Sequence, residues 1–170
     1  EHIMRSIYKI VVCSLLTLSI TSCEKDLLEK EQYQKEIYLI GAYNRVWTTE
    51  VSYSNEEVKT YFTVSSSGTL ALDRDVNVKM KINEELVDIY NKKYWTVLNE
   101  DKYYKSLDTD LYSIPSLENT VIKHAEGISA EVPVLIKTAS LKIDQSYVIP
   151  VEIESTTGYP ISESGYKMLI

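Results

Sequence analysis

Side chains able to do covalent or metal chemistry are few in this 170-residue chain: two cysteines, Cys13 and Cys23, and two histidines, His2 and His124. His124 stands between Lys123 and Ala125 with no carboxylate beside it, so it reads as a surface residue and not as a general base. Beyond the first 22 residues one histidine and one thiol remain, which do not make a zinc ligand set of the usual kinds. Asp73-Arg74-Asp75 and Asp108-Thr109-Asp110 carry the oxygen ligands that calcium takes. Neither runs on into a twelve-residue loop with its Gly and closing Glu, so both read as solvated loop charges. Glycoside hydrolysis needs two carboxylates at a fixed separation, and nothing in the spacing of the 25 acidic residues singles out a pair. Neither a Gly-x-Ser-x-Gly elbow nor a glycine-rich phosphate loop occurs among the five glycines. The expectation is a protein that is not an enzyme, with no catalytic residue, no metal and no cofactor.

Binding has better material. Tyrosine is over-used, 14 against a single Phe, and its ring with one wet end suits half-buried strand positions and binding surfaces alike. As a strand filler it fits a β-rich domain, and that is the reading for most of the fourteen. The densest mix of rings and polar groups is Tyr90-Asn91-Lys92-Lys93-Tyr94-Trp95, followed by Tyr103-Tyr104, with Trp47 as a second centre. Sugar rings stack their apolar faces on aromatic rings while their hydroxyls bond to Asn, Asp and Tyr. The candidate ligand-binding residues are therefore Trp95, Tyr103, Tyr104 and Trp47. Tyr90 and Tyr94 are expected to face the core, while Trp95 and Trp47 stand equally open to a core or a binding role. The net charge of −7 repels phosphate backbones, so no nucleic-acid partner is expected.

The N-terminus carries a pattern of its own. Met4-Arg5-Ser6-Ile7-Tyr8-Lys9 is a short basic stretch, and Ile10 to Ile20 is an apolar run broken only by Ser and Thr. That is the layout of a secretory signal. Eleven residues rise roughly 16 Å as a helix, too little for a bilayer core of roughly 30 Å. The run ends in Ile20-Thr21-Ser22-Cys23, which resembles the lipobox of bacterial lipoproteins. The resemblance implies cleavage before Cys23, acylation of that residue and a membrane partner held through lipid. Residues 1–22 then form the signal, with 1–3 not native, and 23–36 a charged tether in which Leu27, Leu28 and Tyr33 are the larger apolar residues. Glu24-Lys25-Asp26 resembles the surface-export signal of Bacteroidetes lipoproteins, which implies an outer-membrane protein facing the cell exterior.

From Ile37 to Ile170 the hydrophobic period is mostly two. Ile37-Tyr38-Leu39-Ile40 predicts a first strand ended by Gly41, and Val58, Thr60, Phe62 and Val64 a second, turned by Ser65-Ser66-Ser67-Gly68. Val76, Val78, Met80 and Ile82 predict a third; Val121-Ile122, Val132 to Ile136 and Tyr166 to Ile170 predict others. Tyr147 to Ile153 contains Pro150, which argues for an edge or a bulge there. One helix interrupts the series, with Asn83 as N-cap, Glu84 and Glu85 in the first turn and Leu86, Val87, Tyr90 and Tyr94 on one face. The expected fold is mainly β: an antiparallel immunoglobulin-like β-sandwich with one short helix. Without a cysteine pair to pin it, packing alone must hold that sandwich together.

Several of these segments, in order, resemble one family. They are Val76 to Ile82, Leu86-Val87-Asp88-Ile89-Tyr90-Asn91, Tyr94 and Leu98 before Tyr103-Tyr104, Val121-Ile122 with Gly127, and Tyr147 to Ile153 with Gly158-Tyr159-Pro160-Ile161. The chain is similar to the N-terminal β-sandwich domain of unknown function of Bacteroidetes polysaccharide-utilisation-locus surface lipoproteins. Members commonly carry Leu-Pro before the paired tyrosines, where this chain has Leu98-Asn99-Glu100-Asp101. They often sit beside chitinase-like endo-β-N-acetylglucosaminidases or precede a lectin-like second domain; the β-sandwich domain read at 37–170 is expected either to be truncated at its C-terminus or to serve as the spacer alone. The resemblance implies a lipid-anchored accessory protein of a glycan-utilisation system that binds oligosaccharide or presents a partner that does; it names no binding residue. The alternative is a structural spacer or adhesion-type module that binds no sugar.

Overall fold

The structure, a computed structural model, describes residues 33–170 apart from 69, 96 and 144. The signal segment 1–22, Cys23 and most of the expected tether lie outside the described residues. The last residue of that tether is joined to the domain: the Glu36 N–H donates to Ser67 Oγ at 2.8 Å and the Ser67 N–H donates to the Glu36 carbonyl at 2.8 Å.

Period-two patterning becomes two antiparallel sheets that share one core. The first sheet orders β1 (Ile37–Leu39), β2 (Glu57–Ser66), β7 (Ser129–Lys137) and β5 (Tyr112–Ser113) side by side. The second orders β10 (Lys167–Leu169), β9 (Pro150–Thr156), β3 (Val76–Ile82) and β6 (Thr120–Ile122). In β3 the residues Val76, Val78 and Met80 are buried and Asn77, Lys79 and Lys81 exposed, the alternation that a one-sided strand needs. They meet Phe62, Val64, Val132 and Val134 from the other sheet, all fully buried in the shared core. The outward faces carry cross-strand ion pairs such as Lys79–Glu154 at 2.7 Å.

The boundaries differ from expectation at three places. Ser65 and Ser66 are not a turn; they extend β2, buried, opposite Ser129 of β7 and Ile37 of β1. Their hydroxyls donate to nearby carbonyls, so two polar residues fit a buried strand end, and the turn falls at Ser67 and Gly68, where φ is +93°. Pro150 makes neither an edge nor a bulge. It opens β9, an inner strand, where a missing N–H is tolerated, and splits off a short β8 (Tyr147–Val148). The register irregularity sits instead between Lys79 and Met80. Third, β8 pairs in parallel with β4 (Lys105–Ser106), the one departure from an all-antiparallel sandwich among the described strands.

The helix α1 (Glu85–Tyr94) forms as the pattern predicts. The N-cap is Glu84 and not Asn83, because the helix starts one residue later than expected; the Asn83 side chain still accepts the Glu85 N–H at 3.2 Å and satisfies one orphan donor. Leu86 and Val87 are buried against Val148 of β8 and Leu169 of β10, with Val46, Tyr90 and Tyr104 packed alongside. Tyr90 is half-buried there as expected, whereas Tyr94 is 46 % exposed on the rim. That second, smaller cluster sets one end of the sandwich apart.

Candidate functional site: an aromatic groove

At that end lies a groove of about 540 Å³, within the usual size range of small-molecule sites. Four aromatic rings line it: Trp47, Tyr53, Tyr104 and Tyr147. Leu107, Ile136 and Ile149 provide apolar surface, and Thr48, Thr49, Gln145 and Ser146 supply polar groups. The segments come from four separate parts of the chain, and each ring is held by its own device.

Trp47 follows a short 3-10 turn, Ala42–Asn44. Its N–H donates to the Leu169 carbonyl at 2.7 Å, and Val46 forms a parallel bridge with Leu169. Its ring lies against Gly41: a Cβ there would stand 2.4 Å from Trp47 Cε3. Gly41 also adopts φ +90°, a conformation that glycine takes without strain.

Tyr53 is placed by Thr138, itself only 3 % exposed. The Thr138 hydroxyl accepts the Ser54 N–H at 2.9 Å and can donate to the carbonyl of Ser52 or Ser54. The loop on either side of Tyr53 is thereby tied to the end of β7. Thr49 and Thr60 hydroxyls meet at 3.0 Å and fix the same loop nearer Trp47.

Tyr104 is held through its backbone. Asn91, buried on α1, donates from Nδ2 to the Tyr104 carbonyl at 2.9 Å and accepts the Tyr104 N–H at Oδ1 at 3.0 Å. One side chain thus satisfies both backbone groups of one groove residue. Tyr147 sits on β8, anchored by its pairing with Lys105, and its hydroxyl accepts the Lys142 N–H at 3.4 Å.

Of the four residues singled out in the sequence, the structure brings Trp47 and Tyr104 together on this groove. Trp95 and Tyr103 do not line it. Trp95 ends α1, its N–H donating to the Asn91 carbonyl at 2.8 Å. Its indole Nε1 is buried without an acceptor among the described residues, and Lys102 sits over the ring at 5.7 Å. Tyr103 is half-buried and its N–H donates to the Glu100 carbonyl at 3.2 Å. Tyr53 is a lone ring among polar residues and Tyr147 opens an apolar strand run where a tyrosine reads as strand filler, so neither has a local density of rings to mark it.

His124 does have a carboxylate partner, supplied by the fold. Asp75 Oδ1 lies 2.6 Å from His124 Nδ1 and accepts the His124 N–H at 3.0 Å. Asp73 turns the other way, to Arg74 and the Tyr159 hydroxyl. The two acids of that pair therefore serve different partners, and no group of three His, Cys, Asp or Glu gathers among the described residues.

Among the described residues the chain is a two-sheet sandwich with one α-helix and a groove at one end. The family model that matches residues 33–160 describes an N-terminal domain, and the chain belongs to that family. Solved structures of the same fold come from Bacteroides. A Bacteroides ovatus protein of unknown function superposes with a TM-score of 0.66 at 17% identity, covering 81% of this chain and 45% of that one. A Bacteroides ovatus protein described provisionally as carbohydrate binding gives 0.60 at 19% identity, covering 79% and 35%. EndoBT-3987 of Bacteroides thetaiotamicron, solved with a Man5GlcNAc product, gives 0.54 at 18% identity, covering 78% and 30%. This chain spans less than half the length of each. No curated protein matches it.

Proposed function

We propose that this chain is a lipid-anchored accessory protein of a bacterial glycan-handling system, acylated at Cys23, displayed on the outer membrane facing outward, and that its groove binds an oligosaccharide without cleaving it. The observation that carries the reading is the groove itself: four rings on tied-down segments around an apolar floor, with hydroxyl and amide groups between them. Stacking faces beside hydrogen-bonding groups suit a ligand that alternates apolar ring faces with hydroxyls. The family's N-terminal placement and the glycan-related neighbours of the same fold support the setting.

Calorimetry of the full chain in detergent against neutral mannose- and N-acetylglucosamine-containing oligosaccharides tests the binding. Stacking on nucleobases is worth about 1–3 kcal/mol per ring, and sugar stacking on Trp is of that order or weaker. Trp47→Ala is therefore expected to weaken affinity about tenfold, one decade per 1.4 kcal/mol. Trp47 is 37 % exposed, so the variant should keep the wild-type circular dichroism spectrum. A folded Trp47→Ala that binds as tightly as wild type moves the site elsewhere. Wild type that binds nothing on the panel favours the spacer reading. For the anchor, labelled palmitate should enter wild type and not Cys23→Ala; equal labelling of the two sinks lipidation at that residue.

A further inference from the structure

Just outside the groove, the chain places two cations on one aromatic ring. The Arg45 guanidinium lies 5.7 Å from the Tyr94 ring centroid and donates from Nη1 to the Tyr94 hydroxyl; Lys93 Nζ lies 5.6 Å from the same ring. Four other cations on this acidic chain meet acids, Arg74 with Asp73, Lys79 with Glu154, Lys81 with Glu152 and Lys123 with Glu126, while Lys102 and Lys167 each lie alone over one ring, Trp95 and Tyr166. Among the described residues no carboxylate pairs with Arg45 or Lys93. Two like charges drawn to a single ring, without an acid between them, leave a local positive field on a molecule of net charge −7.

Arg45 is also held in place by its backbone. It is the one non-glycine with positive φ among the described residues, at +65°. Its N–H donates to the Ala42 carbonyl at 2.9 Å and its carbonyl accepts the Leu169 N–H at 2.8 Å. A bulky residue in that region persists only where the surroundings over-determine it, and such positions gather at ligand contacts. The guanidinium carries five N–H donors, and Tyr94 takes one.

The position is continuous with the groove. Arg45 precedes the groove residue Trp47 by two positions. From the other side, Tyr94 meets Tyr90 with centroids 4.6 Å apart, and Tyr90 meets the groove residue Tyr104 at 5.5 Å. We infer that Arg45, with Lys93 and the Tyr94 hydroxyl, binds the carboxylate of an acidic sugar, so that the glycan occupying the groove is one that carries a uronic or sialic acid unit beside its neutral sugars. Guanidinium pairs with carboxylate through two parallel N–H···O bonds, which a lone hydroxyl cannot match. This rests on the groove binding an oligosaccharide.

The test compares the full chain's affinity for a neutral oligosaccharide and for the same oligosaccharide bearing a terminal glucuronic acid. The acidic form is expected to bind about tenfold tighter at low salt, the scale of a charge-assisted bond, with the advantage shrinking as salt rises. Arg45→Gln should abolish the advantage of the acidic form over the neutral one, and Arg45→Lys should keep part of it. Equal binding of the two ligands, or a preference that survives in Arg45→Gln, overturns the inference and leaves the groove standing. Glucuronate alone should shift the Arg45 Nε–H resonance where glucose does not. If glucuronate shifts that resonance while no neutral oligosaccharide binds, the groove reading fails and the carboxylate site stands. If nothing binds and the resonance stays still, both fail.

Discussion

Gly41 answers two demands at one position. Its φ of +90° costs an L-residue about 1–2 kcal/mol, and the Trp47 ring occupies the space a side chain would need. Gly41→Ala is expected to lower Tm by several degrees, since about 1 kcal/mol moves a domain of this size by roughly 2–4 °C or a little more. It should also push Trp47 outward, visible as a red shift of tryptophan emission and as weaker groove binding. An unchanged Tm and spectrum would mean that the backbone and ring relax freely there. Gly41 is legible in the sequence as a strand terminator, but its second duty, making room for a ring six residues on, appears only when the turn Ala42–Asn44 folds the chain back. Similarly, Asn91 reads as one polar residue on a helix, and nothing local says that its amide closes on Tyr104.

At the scale of elements, strands with one buried face were readable because their side chains alternate, as in β3. Elements with no such signature were not. β4 and β8 are two residues each, pair in parallel across a long separation, and carry no periodicity to read. Yet β8 brings Tyr147 to the groove. The groove was half legible for the same reason: ring density near the helix pointed to Tyr104, while Tyr53 owes its place largely to a hydroxyl at the end of the neighbouring strand β7, about 80 residues further along the chain. Thr138→Val keeps the shape of that side chain and removes the clamp. It leaves the Ser54 N–H without its partner, for about 1–3 kcal/mol of lost stability, and it frees Tyr53. Chemical denaturation should give a lower midpoint with an unchanged slope, and ligand affinity should fall with it; a variant as stable as wild type would show the 52–54 loop to be held by other contacts.

For the molecule as a whole, acid is the condition that should loosen it. Three exposed carboxyls are held below their ordinary range: Asp73 by the Arg74 guanidinium and the Tyr159 hydroxyl, Asp75 by His124, and Glu154 by Lys79. Because each binds its proton less readily folded than unfolded, the unfolded chain takes up protons first as pH falls. Their contribution is present above about pH 4, where unfolded carboxyls are ionised, and is lost as pH drops through the lower folded values. Tm measured between pH 6 and 2 should fall steepest below pH 4, and Asp73→Asn should flatten that fall. A Tm independent of pH over this range would show these pairs to be energetically silent. The groove has a different dependence, on time. Its walls come from residues 46–53, 104–107, 136–149 and Ile170, so no stretch of the chain builds it alone. Pairings this distant in sequence close late, because loop closure must precede the contacts that reward it. The groove therefore takes its shape only once residues 46–53, 104–107, 136–149 and Ile170 have all met, which makes its presence a report on the completed packing of this domain.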